Sequence, residues 1–149
     1  MAAIVEKLNE ILQRFNIKIA YLFGSQKQKG IEFLKGNSVN PEKGSDLDIG
    51  IVFDRVPDNA FLLYGEIYVE LSDLFIPFNI DIVFLQETDS LLQYEAVKGE
   101  VIYCEDQEFL DRYEEMVMKK AGDLSYKMKE YEKDFIEAVK DGYFEIKHK

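Results

Sequence analysis

Three aspartates in the middle of the chain lie within apolar runs, where acidic side chains are uncommon. Asp46 and Asp48 flank Leu47 at the start of LDIGIVF, and Asp81 lies within NIDIVFL. Because alternate residues of a strand share one face, the side chains of Asp46 and Asp48 point in the same direction. Asp81 reaches that face if the two strands are neighbours. We therefore expect three carboxylates to converge on one face of a sheet.

Clustered carboxylates repel one another and raise each other's pKa unless a cation lies between them. Hard divalent ions supply that positive charge, and Mg²⁺ in particular joins protein carboxylates to substrate phosphates. Two such ions can activate an attacking oxygen and stabilise a leaving phosphate. The pattern therefore suggests a two-metal site built from Asp46, Asp48 and Asp81.

A Gly-Ser pair precedes these aspartates in the sequence YLFGS. Gly24 lets the backbone approach a phosphate closely, while Ser25 offers its hydroxyl and its N–H as donors. Four lysines follow before the first aspartate, at positions 27, 29, 35 and 43. Each signal alone is common in surface loops, but in this order they form a workable site for a metal-bound triphosphate.

Alternating helices and strands must position these residues. Apolar spacing predicts a first helix ending near Phe15, then a strand over residues 17–23 and a loop over 26–45 with a helical turn at Ile31–Leu34. A second strand (47–53), a helix (58–75, with Asp58 as N-cap), a third strand (79–85), a helix (88–99, capped by Thr88 or Asp89) and a fourth strand (100–105) follow. The order indicates an α/β or α+β domain with a small sheet.

From Asp106 to Tyr143 the apolar spacing predicts one long helix, or two helices that break at Gly122. The apolar positions are Phe109, Tyr113, Met116, Val117, Leu124, Met128, Tyr131, Phe135 and Val139. Core packing on the domain is the simpler interpretation. A partner-binding stripe is the alternative, because one small domain rarely covers so long a helix.

The composition excludes several classes of protein. The 149 residues suit one domain, and the net charge of −11 argues against broad nucleic-acid binding. Residues 46–104 hold 12 acidic and two basic side chains, so the acid is concentrated around the predicted site. A single cysteine, no signal-peptide pattern and no long apolar run predict a cytoplasmic protein that does not enter membranes.

The motifs GSQKQKG, SDLDIGIVF and NIDIVFL resemble the nucleotidyltransferase superfamily related to DNA polymerase β, and the short length resembles its minimal (MNT) members. The resemblance covers residues 1–104, leaving residues 105–149 as a helical extension that packs on the domain or on a partner. It implies the nucleotidyltransferase fold, a small mixed sheet flanked by helices. The helical tail is similar to that of MntA-type antitoxins, which pair with HEPN-type toxins.

The resemblance implies transfer of a nucleoside monophosphate, AMP from ATP, to a hydroxyl acceptor with two Mg²⁺ ions as cofactors. Asp46 and Asp48 would ligate the metals, and Asp81 would complete the second site and help deprotonate the acceptor. Gly24 and Ser25 would hold the β- and γ-phosphates. In the antitoxin subset the acceptor is a tyrosine of the partner toxin.

Two departures from the family pattern concern the loop. Twenty residues (26–45) separate the Gly-Ser pair from Asp46, more than is usual, and the family's Ala-Arg-Gly after the Ser is absent. Lys29-Gly30 is the candidate replacement for Arg-Gly, with one residue inserted. Lys29 is therefore a predicted nucleotide ligand, and the loop is either a lid or a docking element. Two other functions stay open, transfer to a cationic small molecule such as an aminoglycoside and toxin binding without catalysis. The C-terminal helices are also candidates for self-association.

Overall fold

The computed structural model describes residues 2–141. Within this range the chain alternates helices and strands, as the apolar spacing predicts. The helices are α1 (Ala2–Arg14), α2 (Lys27–Leu34), α3 (Ala60–Leu74), α4 (Ser90–Val97) and α5 (Gln107–Lys140). The strands are β1 (Ile17–Phe23), β2 (Leu47–Phe53), β3 (Ile80–Phe84) and β4 (Glu100–Cys104), and a 3₁₀ turn (Leu85–Glu87) follows β3.

The four strands form one mixed sheet in the order β3-β2-β1-β4. Strand β1 runs antiparallel to both β2 and β4, whereas β2 and β3 are parallel. This arrangement confirms the predicted fold class. It also places the carboxyl end of β1 beside the amino ends of β2 and β3. This margin, where the three strands begin or end, is the edge of the sheet that carries the site.

Helices cover both faces of the sheet, so the central strands are buried on both sides. On one face, alternate residues of β2 from Leu47 to Phe53 pack with side chains of α1 and α3. On the other face, Val52 packs with Tyr21 of β1 and with Val117 of α5. Double coverage explains why β1 and β2 are almost continuously apolar rather than alternating with polar residues.

The predicted loop over residues 26–45 is wrong in its first part, because α2 occupies Lys27–Leu34 rather than only a turn at Ile31–Leu34. Gly30 lowers the helix propensity of this segment. Tertiary packing outweighs that cost, since a Cβ at Gly30 would lie 2.8 Å from Leu47 and 2.9 Å from Leu22. A glycine is thus what lets α2 lie close against the sheet.

Of the two predicted N-caps, the one of α4 is confirmed and the one of α3 is wrong. Helix α3 begins at Ala60 with Asn59 at the N-cap position, so Asp58 does not cap it. Helix α4 is capped by Asp89, whose carboxylate accepts a hydrogen bond of 2.8 Å from the Leu92 N–H. An Asp at this position satisfies an N–H that the helix itself leaves unpaired.

Helix α5 passes through Gly122 without interruption, which confirms one long helix and not the alternative of two helices that break there. Its first half packs on the sheet through four buried residues, Leu110, Tyr113, Val117 and Ala121. No residue between Gly122 and Asp141 is buried. The predicted end of the helix near Tyr143 lies outside the described residues. Between residues 2 and 141, no helix has both the length and the apolar composition needed to cross a bilayer.

Candidate active site

The sheet topology brings the predicted acidic residues to one edge. Asp48 of β2 is the register partner of Asp81 of β3, and the strands are parallel. Asp46 lies just before β2, where the Leu47 N–H donates a hydrogen bond of 2.8 Å to the Asn79 carbonyl. This bond fixes the chain that enters β2 against the chain that enters β3. The three aspartates therefore share one edge of the sheet.

The Gly-Ser turn reaches the same edge because β1 is antiparallel to β2. Phe23, the last residue of β1, is the register partner of Asp48. Gly24 follows with φ +81°, a conformation that L-residues with a side chain rarely adopt. A Cβ at Gly24 would overlap Oδ2 of Asp48. The glycine is required here both by its backbone conformation and by the carboxylate packed against it.

The electrostatic environment of Asp48 is set by its burial and by two neighbouring carboxylates. Burial raises the pKa of Asp48, and the charges of Asp81 and Asp46 raise it further. Each cause disfavours the ionised form of Asp48. A cation bound here would offset the repulsion from Asp81 and Asp46 and would favour the ionised form of Asp48.

Oxygen donors alone make up the candidate metal site. Asp46, Asp48 and Asp81 are carboxylates, and neither the single cysteine nor the single histidine accompanies them in sequence. This donor set fits a hard divalent ion such as Mg²⁺. Between residues 2 and 141, however, no three His, Cys, Asp or Glu side chains are gathered closely enough to hold a metal ion.

The loop that leads into β2 closes the site on one side. The hydroxyls of Ser25 and Ser45 lie 3.0 Å apart, which places the residue before Asp46 directly beside the Gly-Ser turn. Lys29 donates from Nζ to the Asn40 carbonyl over 2.8 Å. Lys29 thus contacts the loop, and its ammonium group has two further N–H donors.

Gln26 is a residue of this region that sequence reasoning missed. Its side chain is 1% exposed and hydrogen-bonded at both ends. Nε2 donates to the Ser45 carbonyl over 2.6 Å, and Oε1 accepts from the Glu42 N–H over 2.9 Å. The sequence QKQK around it is typical of an exposed segment, so no local signal marks Gln26 as buried.

Tyr64 of α3 is a second residue that the sequence did not mark. Burial raises the pKa of its hydroxyl, and the charge of Asp81 adds to that effect. An open groove of about 360 Å³ lies between α3 and the edge strand β3, lined chiefly by apolar side chains such as Phe61, Tyr64 and Phe84. The groove therefore begins at Ile82, the residue that follows Asp81 in β3.

A small mixed sheet with acidic residues beside a Gly-Ser turn is the arrangement of nucleotidyltransferase domains. Residues 6–108 match the family described as Polymerase beta, Nucleotidyltransferase. The chain therefore belongs to this family. Among curated proteins, no sequence is significantly similar to it.

Several solved structures of toxin–antitoxin pairs have a similar fold. A toxin–antitoxin structure with AMP-PNP contains a chain of 18% identity and TM-score 0.64, with 89% of this chain and 98% of that chain covered. The complex of tri-AMPylated Shewanella oneidensis HEPN toxin with MNT antitoxin gives 17% identity and TM-score 0.62, covering 91% and 98%. A further toxin–antitoxin structure, MntA-HepT, gives 16% identity and a TM-score of 0.61, with 91% of this chain and 99% of that chain covered. At these identities the likeness establishes the fold.

Proposed function

We propose that this protein is a metal-dependent nucleotidyltransferase that transfers AMP from ATP to a hydroxyl acceptor. The observation that carries the proposal is the pairing of Asp48 with Asp81 at the sheet edge that also holds Gly24 and Ser25. Burial and the neighbouring carboxylates raise the pKa of Asp48, so a cation would stabilise its ionised form, and the turn beside it is suited to receive phosphate.

Each residue of the site has a distinct proposed role. Asp46 and Asp48 would hold Mg²⁺, and Asp81 would complete the second metal site. Gly24 and Ser25 bind the β- and γ-phosphates through backbone and hydroxyl donors, with Lys29 as a charged donor beside them. Bound Mg²⁺ would neutralise phosphate charge and lower the pKa of the acceptor hydroxyl.

The transfer itself is a single displacement at the α-phosphate. A bond forms between the acceptor oxygen and the α-phosphorus, the α–β phosphoanhydride bond breaks, and pyrophosphate leaves. Asp81 takes the proton from the acceptor hydroxyl. The apolar groove between α3 and β3 begins at Ile82, next to Asp81 in the chain, and suits the ring of an aromatic acceptor.

For the acceptor we propose a tyrosine of a HEPN-type toxin, with this chain as its antitoxin. Structures of similar fold are toxin–antitoxin complexes, and one of them contains a tri-AMPylated HEPN toxin. Identities of 17–18% make this assignment to our chain an inference from fold and site together. Modification of the toxin by a bound antitoxin would be the means of neutralisation.

Helix α5 offers a surface for such a partner. Leu124, Met128 and Tyr131 follow the same 3.5-residue spacing as the buried residues Val117 and Ala121, but lie beyond the domain body. Met128 is 58% exposed and Tyr131 77% exposed. We call these three residues the distal α5 stripe. An apolar stripe at helical spacing suits another helix, so we propose that the partner packs here.

One experiment tests the proposed function. The protein is incubated with Mg²⁺ and ATP labelled at the α-phosphate, with and without the product of the adjacent reading frame, and Asp46→Asn/Asp48→Asn serves as the inactive variant. We expect label on the neighbouring protein, and none with the variant. An aminoglycoside is tested in parallel, because the 12 acidic residues of segment 46–104 would attract a cationic acceptor.

Three other outcomes decide against this assignment. Label on the aminoglycoside alone supports the small-molecule alternative. Neutralisation of the toxin by the double variant, without label on either protein, supports toxin binding without catalysis. Label that persists with the double variant removes the aspartates from the mechanism.

A further inference from the structure

Gln26 is a buried polar side chain, and side chains of this type are mostly exposed. It is 1% exposed, and between residues 2 and 141 no other amide or charged side chain is buried. A buried amide is stable only when its donor and acceptor are both paired. Both are paired here, and both partners belong to one backbone segment, at Glu42 and Ser45. Gln26 thus joins the start of α2 to the chain that precedes Asp46.

The joined segment is long, and besides the Gln26 bonds it is held by Val39, which packs partly buried against the core. Twelve residues (35–46) separate α2 from β2 and contain neither helix nor strand. A connection of this length and composition is mobile unless its backbone is anchored. Lys29 provides a second anchor through the Asn40 carbonyl, but that bond is exposed to water. Since water competes for exposed bonds, the partly buried Gln26 bonds are the stronger hydrogen-bond anchor.

The position of the anchor relates it to the proposed chemistry. Gln26 follows Ser25 directly, and its bond to Ser45 holds the residue before Asp46. The two serine hydroxyls lie 3.0 Å apart as a result of this closure. A phosphate-binding turn and a metal-binding carboxylate that lie on different loops are thereby held at a fixed separation.

We propose that Gln26 is a positioning residue of the nucleotide site, which sets Ser45 and Asp46 against the Gly24–Ser25 turn. This inference rests on the proposed function, because it concerns binding of the metal–nucleotide. Gln26 touches neither substrate nor metal in this role. Its effect passes through the backbone of Glu42 and Ser45, so that the long loop forms one wall of the site.

Three variants separate this role from a purely structural one. Gln26→Met keeps the side-chain volume and removes both hydrogen bonds. Gln26→Glu keeps an oxygen for the Glu42 N–H but replaces the donor to the Ser45 carbonyl by a second acceptor. Gln28→Ala is the matched control, because Gln28 lies exposed on the same helix and contacts only Glu32 among the described hydrogen bonds.

Two measurements are made on each variant in the full chain. Amide hydrogen exchange at Glu42 reports the anchor, and affinity for AMP-PNP with Mg²⁺ reports the site. For Gln26→Met we expect faster exchange at Glu42 and affinity weakened by about tenfold, the effect of about 1.4 kcal/mol. For Gln26→Glu we expect Glu42 to stay protected while affinity still falls, because Ser45 is released. Gln28→Ala should match the wild type in both.

The outcomes distinguish this inference from the proposed function. Unchanged exchange at Glu42 in Gln26→Met overturns the anchor. Faster exchange with wild-type affinity overturns the positioning role and leaves the proposed function standing. A wild-type protein that binds no AMP-PNP overturns the proposed function and this inference together. Should Gln26→Met fail to fold, Gln26→Glu with weakened affinity and a protected Glu42 amide supports the role, and wild-type affinity overturns it.

Discussion

Asp48 and Asp81 are direct neighbours across two parallel strands, although 32 residues separate them in the chain. Parallel register places both side chains on the same face at the same height of the sheet. Burial and the two neighbouring carboxylates raise the pKa of Asp48, because each of them disfavours its ionised form. The same charge that destabilises the metal-free fold would bind a metal ion.

The first prediction concerns Asp48→Asn. Removing one of the clustered charges should raise the thermal stability of the metal-free protein at neutral pH and abolish AMP transfer. Mg²⁺ with AMP-PNP should stabilise the wild type but not the variant. Thermal unfolding with and without these ligands measures both effects. A variant less stable than the wild type without metal would contradict the repulsion.

The pH dependence of that effect has a defined sign. A pKa raised in the folded state means that the folded chain holds a proton that the unfolded chain has lost. The stability contributed by Asp48 is therefore present at acidic pH and falls as pH rises through the carboxyl range. Asp48→Asn lacks this fall. The stability difference between variant and wild type should grow from about pH 3 to neutral pH.

The second prediction compares Gly24→Ala with Gly44→Ala. Both glycines have positive φ, +81° and +74°, so both variants incur a backbone strain of about 1–2 kcal/mol. At Gly24 the new Cβ also overlaps Oδ2 of Asp48, whereas nothing lies within 4 Å of one at Gly44. Gly24→Ala should lose more stability and all transfer, while Gly44→Ala keeps transfer. Equal denaturant midpoints for the two variants would contradict the proposed overlap between a Cβ at position 24 and Asp48.

The third prediction concerns the bond that ties α5 to the sheet. The Tyr21 hydroxyl donates to Oε2 of Glu114 over 2.7 Å, and burial together with this carboxylate raises the pKa of Tyr21. Tyr21→Phe should lower the free energy of unfolding by about 1–3 kcal/mol, because a carboxylate loses its partner. Tyr126→Phe, at a position 67% exposed, is the control and should change little. Urea denaturation measures both.

The fourth prediction tests the continuity of α5. Gly122 is exposed within the helix, and nothing lies within 4 Å of a Cβ there. Gly122→Ala should stabilise the protein by about 0.5–1 kcal/mol. Gly30→Ala should have the opposite sign, since its Cβ would meet Leu47 and Leu22 at 2.8 and 2.9 Å. Thermal unfolding of both variants tests whether the space around the new Cβ decides if the substitution stabilises or destabilises the protein.

The fifth prediction concerns the distal α5 stripe. Leu124→Ser/Met128→Ser/Tyr131→Ser should lose co-purification with the proposed partner and keep the wild-type circular dichroism, because none of these residues is buried. Tyr126→Ser is the matched control, an exposed aromatic residue outside the stripe. Loss of self-association instead of partner binding would assign the stripe to a second copy of this chain.

Local patterns in the sequence were enough to predict the strands and most helices. The aspartates of β2 and β3 stand out because a charged residue within an apolar run is a local signal, and Asp89 is identified by its place before a helix. The prediction that these aspartates lie close together needed one assumption, that β2 and β3 are neighbours. The parallel register of Asp48 and Asp81 confirms it.

Packing decided what local patterns could not. Helix α2 includes Gly30 because close approach to Leu22 and Leu47 favours a glycine there. Gln26 is buried because its amide pairs with backbone that lies 16 and 19 residues further along the chain. The sequence by itself thus determined which residues could do the chemistry, since that depends on their type and immediate neighbours. Only the tertiary structure decided how the Gly-Ser turn, the loop and the aspartates are held together, because those contacts join segments distant in sequence.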